Sequence, residues 1–131
     1  MHPRPPAATL THVLSCLIVD DNASFLEAAA GALERDGLSV VGTASNIEDG
    51  LRRARELQPD VVLIDIAIGA ESGFDLARRL AENGSPATRI LVSTHAEADF
   101  ADLIATSPVA GFVSKSELSA AAIERLIGFE S

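Results

Sequence analysis

The chain has 131 residues, 47% of them hydrophobic, and a formal net charge of −9. Ten basic residues against nineteen acidic ones argue against binding to nucleic acid or to anionic membranes, because both bind through lysine and arginine. The length suits one domain. With five phenylalanines and neither tryptophan nor tyrosine, its core must consist of aliphatic residues and alanine, as in parallel sheets flanked by helices.

The N-terminal segment contains three prolines, which predicts a flexible tail over residues 1–13 and one domain over residues 14–131. The only cysteine, Cys16, lies in the apolar run Leu14–Val19 and is expected to be a small buried hydrophobe. The tail lacks the apolar core of ~7–15 residues that an export signal needs. No segment approaches the ~20 apolar residues of a membrane-spanning helix, so we expect a cytoplasmic protein.

Short apolar strands alternate with amphipathic helices along the rest of the chain. Strands are predicted at Ser15–Val19, Leu38–Gly42, Val61–Ile64, Arg89–Ser93 and Val109–Val113. Helices are predicted from Ser24 to about Arg35, from Ser45 to Pro59, and at Gly73–Ala81, Ala96–Ala105 and Ser116–Ile127. The first two helices open on the capping-box pattern Ser-x-x-Glu, at Ser24 and Ser45. Such alternation predicts an α/β fold, a doubly wound five-stranded parallel sheet with five flanking helices.

Chemically active side chains follow the predicted strands. They are Asp20 and Asp21 after strand one, Asp65 after strand three, Ser93 ending strand four and Lys115 after strand five. Each alone is better explained as a turn former, a cap or a solvated charge. Parallel strands, however, bring all five to one edge of the sheet.

Three carboxylates at one edge repel each other, since two like charges ~4 Å apart cost roughly 4 kcal/mol at an effective dielectric near 20. A hard divalent cation such as Mg²⁺, which takes oxygen ligands, would remove that repulsion. A lysine and a hydroxyl beside them would receive an anion. The set therefore indicates phosphoryl chemistry, in which a carboxylate can be the nucleophile.

Residues 14–128 resemble the receiver domain of two-component response regulators. The resemblance rests on Asp20-Asp21, on Val61-Val62-Leu63-Ile64-Asp65, on Gly73 opening the third helix, on Ser93 and on Gly111-Phe112-Val113-Ser114-Lys115. It implies a CheY-like, flavodoxin-like fold and a stand-alone, single-domain response regulator in a phosphorelay. It also implies no enzyme activity beyond phosphorylation and dephosphorylation of the protein itself.

The resemblance implies that Asp65 accepts a phosphoryl group from a sensor histidine kinase, a phosphotransfer protein or a small phosphodonor. Asp20, Asp21, Asp65 and the backbone carbonyl of Ala67 would hold Mg²⁺, or Mn²⁺ in its place. Gly69 stands where the family often has proline, so we expect a looser loop after Asp65.

The resemblance also assigns a switch. Lys115 and Ser93 would bind the phosphoryl group, and Ser93 would move with Phe112 to pass the signal to a downstream protein. Thr94 is a less well placed candidate for the switch hydroxyl. Ser116 follows the lysine where many members have a cis-proline, and we expect a trans bond there because a cis bond to serine costs ~3 kcal/mol.

Three other functions fit parts of the pattern. A phosphatase of the haloacid dehalogenase type needs a second aspartate two residues after the nucleophile, where this chain has Ala67. A flavodoxin-like electron carrier needs a phosphate-binding loop after strand one, where Asp20 and Asp21 would repel phosphate. An interaction module with the receiver fold that is never phosphorylated is the main alternative, although such modules usually lose an acid or the lysine.

Overall fold

The computed structural model describes residues 13–128, and the tail predicted over residues 1–13 lies outside them apart from the exposed Val13. Five strands form one parallel sheet: β1 (Ser15–Val19), β2 (Ser39–Ala44), β3 (Val61–Asp65), β4 (Thr88–Ser93) and β5 (Gly111–Ser114). Their order across the sheet is β2-β1-β3-β4-β5. The chain therefore winds outward in both directions from β1 and β3, as the doubly wound prediction requires.

Five helices connect and follow the strands: α1 (Ala23–Arg35), α2 (Ile47–Leu57), α3 (Gly73–Glu82), α4 (Ala101–Thr106) and α5 (Ala120–Leu126). Short 3-10 turns precede α4 and α5, at Glu97–Phe100 and Lys115–Glu117. The predicted fold class is confirmed. Within residues 13–128 no helix is long and apolar enough to cross a lipid bilayer.

The core has two layers, one on each face of the sheet, because alternate strand residues point to opposite faces. In β3, which is buried throughout, Val62 and Ile64 pack towards α2 and α3, while Val61 and Leu63 pack towards α1 and α5. Cys16 lies in the second layer, where burial raises the pKa of its thiol to about 12. It is a neutral hydrophobe, as predicted.

The caps of α1 and α2 differ from the prediction. The side chains of Asn22 and Asn46, not those of Ser24 and Ser45, accept the hydrogen bonds from the first helical turns. Both asparagines have the extended backbone of an N-cap, and asparagine caps as well as serine does. The two capping boxes were therefore wrong, although both helices begin within two residues of the predicted positions.

The last two helices are shorter than predicted. The helix expected over residues 96–105 is divided into the 3-10 turn and the six-residue α4. The helix expected from Ser116 begins only at Ala120, where Ser119 caps it by accepting a hydrogen bond from the amide of Ala122. The strand before it, β5, also begins two residues later than predicted.

Candidate functional site

Three carboxylates meet at the carboxyl end of the sheet. Asp20 and Asp21 follow β1, and Asp65 ends β3, the neighbouring strand in parallel register. One carboxylate oxygen from each lies within 4.8 Å of the other two. Asp20 is completely buried and Asp65 is 7% exposed, while Asp21 faces solvent. The predicted convergence is present, and two of its three charges are shielded from water.

Lys115 extends from the end of β5 into this cluster. Its ammonium lies 2.6 Å from Asp20 Oδ2 and 3.6 Å from Asp65 Oδ2. Among the described residues, Asp20 Oδ2 accepts no hydrogen bond of good geometry, so this ion pair is what compensates its buried charge. The ammonium also lies 4.2 Å from the centre of the Phe25 ring. The peptide bond that follows Lys115 is trans, as predicted.

Asp65 is harder to ionise than an ordinary aspartate. Burial and the charge of Asp20 raise its pKa to about 6, against the lowering effects of Lys115 and of the Ala67 amide. That amide donates a hydrogen bond to Asp65 Oδ1 at 3.4 Å. At neutral pH Asp65 is therefore mostly ionised, but under an electrostatic penalty that a bound cation would relieve.

Gly73 allows α3 to begin directly against the end of β3. Its amide donates a hydrogen bond of 2.7 Å to the carbonyl of Ile66. A Cβ atom at this position would stand 2.0 Å from the carbonyl oxygen of Asp65, closer than any side chain can approach. The glycine thus allows the start of α3 to pack directly against the backbone that carries the Asp65 carboxylate.

A short antiparallel hairpin over residues 67–72 follows Asp65, and the sequence did not reveal it. Its turn contains Gly69 with φ +61°, a value that the proline ring cannot adopt. Glu71 fastens the hairpin to the start of α2, because its Oε1 accepts a hydrogen bond of 2.9 Å from the amide of Ile47. The loop that we expected to be loose is closed by these contacts.

Ser93 is buried at the end of β4, beside β3. Its Oγ accepts a hydrogen bond of 3.0 Å from the amide of His95 and lies 3.4 Å from Nδ1 of the same residue. Thr94, the alternative hydroxyl, is exposed. Phe112 is half-buried and packs on the face of the sheet that α2 and α3 cover, as does Phe100. Sequence reasoning missed His95, although its position two residues after a strand-end serine is typical of such a turn.

Comparison with known proteins identifies the family. The family model of the response regulator receiver domain matches residues 16–127 of this chain. The chain belongs to that family. As a receiver domain it is a component of two-component phosphorelay signalling, and the phosphatase and electron-carrier alternatives are thereby set aside.

Individual relatives agree with this assignment. The transcription regulator BvgA of Bordetella pertussis is 35% identical over 101 residues, which are 77% of this chain and 48% of BvgA. The chain thus spans about half the length of the curated relatives it matches. A two-component response regulator of the LuxR family from Aurantimonas sp. SI85-9A1 has a TM-score of 0.80 at 26% identity, over 89% of this chain and 87% of that one.

A third relative carries a modified site. A response regulator from Burkholderia pseudomallei, solved with a phosphorylated aspartic acid and a calcium ion, has a TM-score of 0.75 at 23% identity. The match covers 86% of this chain and 66% of that one, and at this identity it shows the shared fold alone. The roles of individual residues in this chain remain predictions.

The cluster of carboxylates fits the divalent cation that receiver domains bind in an acidic pocket. Mg²⁺ prefers oxygen ligands from one or two carboxylates and keeps several waters. Asp20, Asp21 and Asp65 each offer one oxygen within 4.8 Å of the others, and Asp21 leaves one side open to solvent. The buried Asp20 Oδ2 accepts no well-formed hydrogen bond within residues 13–128 and is compensated there by the Lys115 ammonium at 2.6 Å.

Proposed function

We propose that this receiver domain, over residues 14–131, is phosphorylated on Asp65 in a Mg²⁺-dependent reaction. One observation carries the proposal: a nearly buried carboxylate at a strand end lies in a cluster with Asp20 and Asp21 and 3.6 Å from the ammonium of Lys115. At neutral pH the raised pKa of Asp65, about 6, opposes folding, because the carboxylate is ionised in a buried and negatively charged place. Side chains with a pKa shifted in this way cluster at functional sites.

The cation would be held by Asp20, Asp21, Asp65 and the backbone carbonyl of Ala67. When bound, Mg²⁺, or Mn²⁺ in its place, supplies positive charge that offsets the negative charge of a phosphoryl group. The hairpin over residues 67–72 supports this role of Ala67, because its pairing and the tether from Glu71 restrain the backbone there.

In the transfer step, a carboxylate oxygen of Asp65 forms a new O–P bond. The P–N bond of a phosphohistidine donor breaks at the same phosphorus, and the imidazole leaves with the bonding pair. With acetyl phosphate, a P–O bond breaks and acetate leaves. The Lys115 ammonium neutralises charge on the transferred group, as expected where catalysis is mostly positioning. Ser93 Oγ accepts from the His95 amide, and its hydroxyl proton would be donated to the phosphoryl group.

Partners follow from this chemistry. A sensor histidine kinase or a phosphotransfer protein supplies the phosphoryl group, and a downstream protein reads the result through protein–protein contacts. We propose that this acidic domain itself binds no nucleic acid. The proposal does not extend to a longer protein, since BvgA is a transcription regulator of about twice the matched length. Cytoplasmic location remains a prediction, and we propose no enzyme activity beyond formation and hydrolysis of the acyl phosphate.

The proposal is tested by incubating the protein with acetyl phosphate and Mg²⁺ and measuring its intact mass. We expect one alkali-labile phosphoryl group per chain, absent in Asp65→Asn and strongly reduced when EDTA removes the metal. Asp102→Asn, on the exposed surface of α4, is the matched control and should label like the wild type. Wild-type protein that gains no mass from acetyl phosphate or a phosphorylated kinase would instead support the unphosphorylated interaction module.

A further inference from the structure

The Lys115 ammonium belongs to a closed circuit of contacts. It pairs with Asp20 Oδ2 at 2.6 Å, and the other oxygen of Asp20 accepts a hydrogen bond of 2.8 Å from the amide of Asn22. The Asn22 side chain, which caps α1, accepts one of 3.0 Å from the amide of Phe25. The Phe25 ring lies under the ammonium and closes the circuit.

This circuit fixes a side chain that would otherwise be free to move. Lysine is a point charge on a flexible stem of four carbons, and its direction must be set by its surroundings. Lys115 extends from β5, while the carboxylates that it contacts belong to β1 and β3 on the far side of β4. An aromatic ring face attracts an ammonium, and the N–H groups of that ammonium can still donate hydrogen bonds to the carboxylates. The cap holds the backbone of Phe25 in the first turn of α1, so the ring is anchored too.

We propose that Phe25 is a positioning residue for phosphoryl transfer to Asp65, one that holds the Lys115 ammonium beside Asp20 and within reach of the incoming phosphoryl group. This inference rests on the proposed function and adds a residue outside the set of side chains at the strand ends. In this role Phe25 does not act on the reacting atoms. Its effect passes through Lys115 alone, and the ring is also half-buried against the core layer that α1 covers.

The test compares two substitutions at one position. Phe25→Leu keeps an apolar side chain without the ring face, and Phe25→Tyr keeps the ring. We expect the rate of labelling by acetyl phosphate and Mg²⁺ to fall about three- to tenfold in Phe25→Leu, a range that corresponds to the cation–π attraction of a partly desolvated pair. Phe25→Tyr should label within about twofold of the wild type, because rescue by a ring requires only the aromatic face.

A second readout does not depend on phosphorylation. The ring current of Phe25 should shift the NMR resonances of the Lys115 ε-methylene protons upfield in the wild type and in Phe25→Tyr. That shift should vanish in Phe25→Leu. Phe74→Leu is the matched control: it removes a ring on α3 that packs against Phe100 on the opposite face of the sheet, and it should change neither the shift nor the rate.

The outcomes separate the two proposals. A wild type with the upfield shift that accepts no phosphoryl group contradicts the proposed function and leaves the lysine placement intact. A wild type that labels while Phe25→Leu labels at the same rate overturns the positioning role. Equal slowing in Phe25→Leu, Phe25→Tyr and Phe74→Leu overturns it as well, because the effect is then a general loss of packing.

Discussion

Helices α3 and α4 pack on the same face of the sheet but are held by different means. The ten-residue α3 is capped by Ser72, whose hydroxyl accepts a hydrogen bond from the amide of Phe74. Its buried residues are Gly73, Leu76, Ala77 and Leu80. The six-residue α4 and the 3-10 turn before it have neither a side-chain cap nor a buried residue.

Charges accentuate the difference. On α3, Arg78 pairs with Asp75 and Glu82, and Arg79 pairs with Asp75. Residues 97–106 carry acidic side chains and no basic ones. Exposed pairs contribute only ~0.2–1 kcal/mol each, so buried area decides the difference in stability. Segments that move in signalling are drawn from the weakly held parts of a fold, so we expect α4 to be the movable element of this face and α3 the fixed one.

Truncating one leucine in each helix tests this comparison most directly. Leu76 is completely buried, and Leu76→Ala should lower the free energy of unfolding by ~2–5 kcal/mol through lost burial and a cavity. Leu103, on α4, is 52% exposed, and Leu103→Ala should change the free energy of unfolding by less than ~0.5 kcal/mol. Urea denaturation measures both. Equal losses would mean that the two helices are held equally well.

The start of α3 should tolerate no side chain at all. Gly73→Ala places a methyl group against the Asp65 carbonyl oxygen, and we expect a loss of about 3 kcal/mol with strongly reduced labelling of Asp65. Gly31→Ala, inside α1, is the matched control because its Cβ would meet only Arg35 Nη1, at 3.4 Å. That change should stabilise by up to ~1 kcal/mol. A Gly73→Ala protein with normal stability and labelling would show that α3 is not fixed at this end.

The fold and the charged cluster could be read from the sequence because both depend on strong patterns. The apolar run Val61–Ile64 ends in Asp65, and the topology of a parallel sheet brings that residue to the edge where Asp20 and Lys115 also lie. Register is strongly specified in a strand that packs into the core. The predicted alternation of strands and helices was also confirmed, because it rests on equally strong apolar patterns.

Details that depend on a single backbone angle or on tertiary contact could not be read. The choice of Asn22 over Ser24 as the cap depends on how the chain leaves β1, a matter of two residues. The division of the helix predicted over residues 96–105 reflects weak burial, which a periodic pattern does not measure. The contact between Phe25 and Lys115 joins residues 90 positions apart and follows only from the folded arrangement.

The third prediction concerns what limits the stability of the metal-free domain: repulsion among Asp20, Asp21 and Asp65, or the weak packing of α4. The pKa of Asp65 is about 6 in the folded state against an ordinary value of 3.8. Between these values the folded protein holds a proton that the unfolded chain releases, so this stabilising contribution is present near pH 4 and is lost as the pH rises through 6. Ionisation of Asp65 therefore costs the folded state up to roughly 3 kcal/mol at pH 7.

Asp65→Asn removes that cost, so it should raise the melting temperature at pH 7 in EDTA and bring no gain near pH 4. Asp21→Asn should bring a smaller gain, since Asp21 is exposed, and should weaken Mg²⁺ binding. Mg²⁺ should stabilise the wild type by mass action. Asp102→Asn on α4 is the control and should show no such pH dependence. An Asp65→Asn protein that melts like the wild type at pH 7 would contradict electrostatic strain at the site.

The smallest expected effect concerns movement of α4 on phosphorylation. Ser93 contacts His95, whose ring lies edge-on to Phe100 at 5.8 Å, and Phe100 in turn packs against Phe74 of α3 at 6.3 Å. A phosphoryl group on Asp65 that draws the Ser93 hydroxyl away from His95 would loosen the first of these contacts. The contact between the His95 and Phe100 rings would then weaken, whereas the contact between Phe100 and Phe74 of α3 would remain.

Hydrogen exchange on phosphorylated or beryllofluoride-treated protein measures this asymmetry. We expect the free energy of local opening to change by ~1 kcal/mol across residues 94–118, which include Phe112, and to stay constant in α3; affinity for a downstream protein would change by ~1–3 kcal/mol. Ser93→Ala lacks the hydroxyl and is the matched control, because it should still be phosphorylated but show a reduced response in α4. Changes confined to the loops around Asp65 would leave Phe112 as an ordinary core residue, and equal changes in both helices would remove the distinction between a fixed α3 and a movable α4.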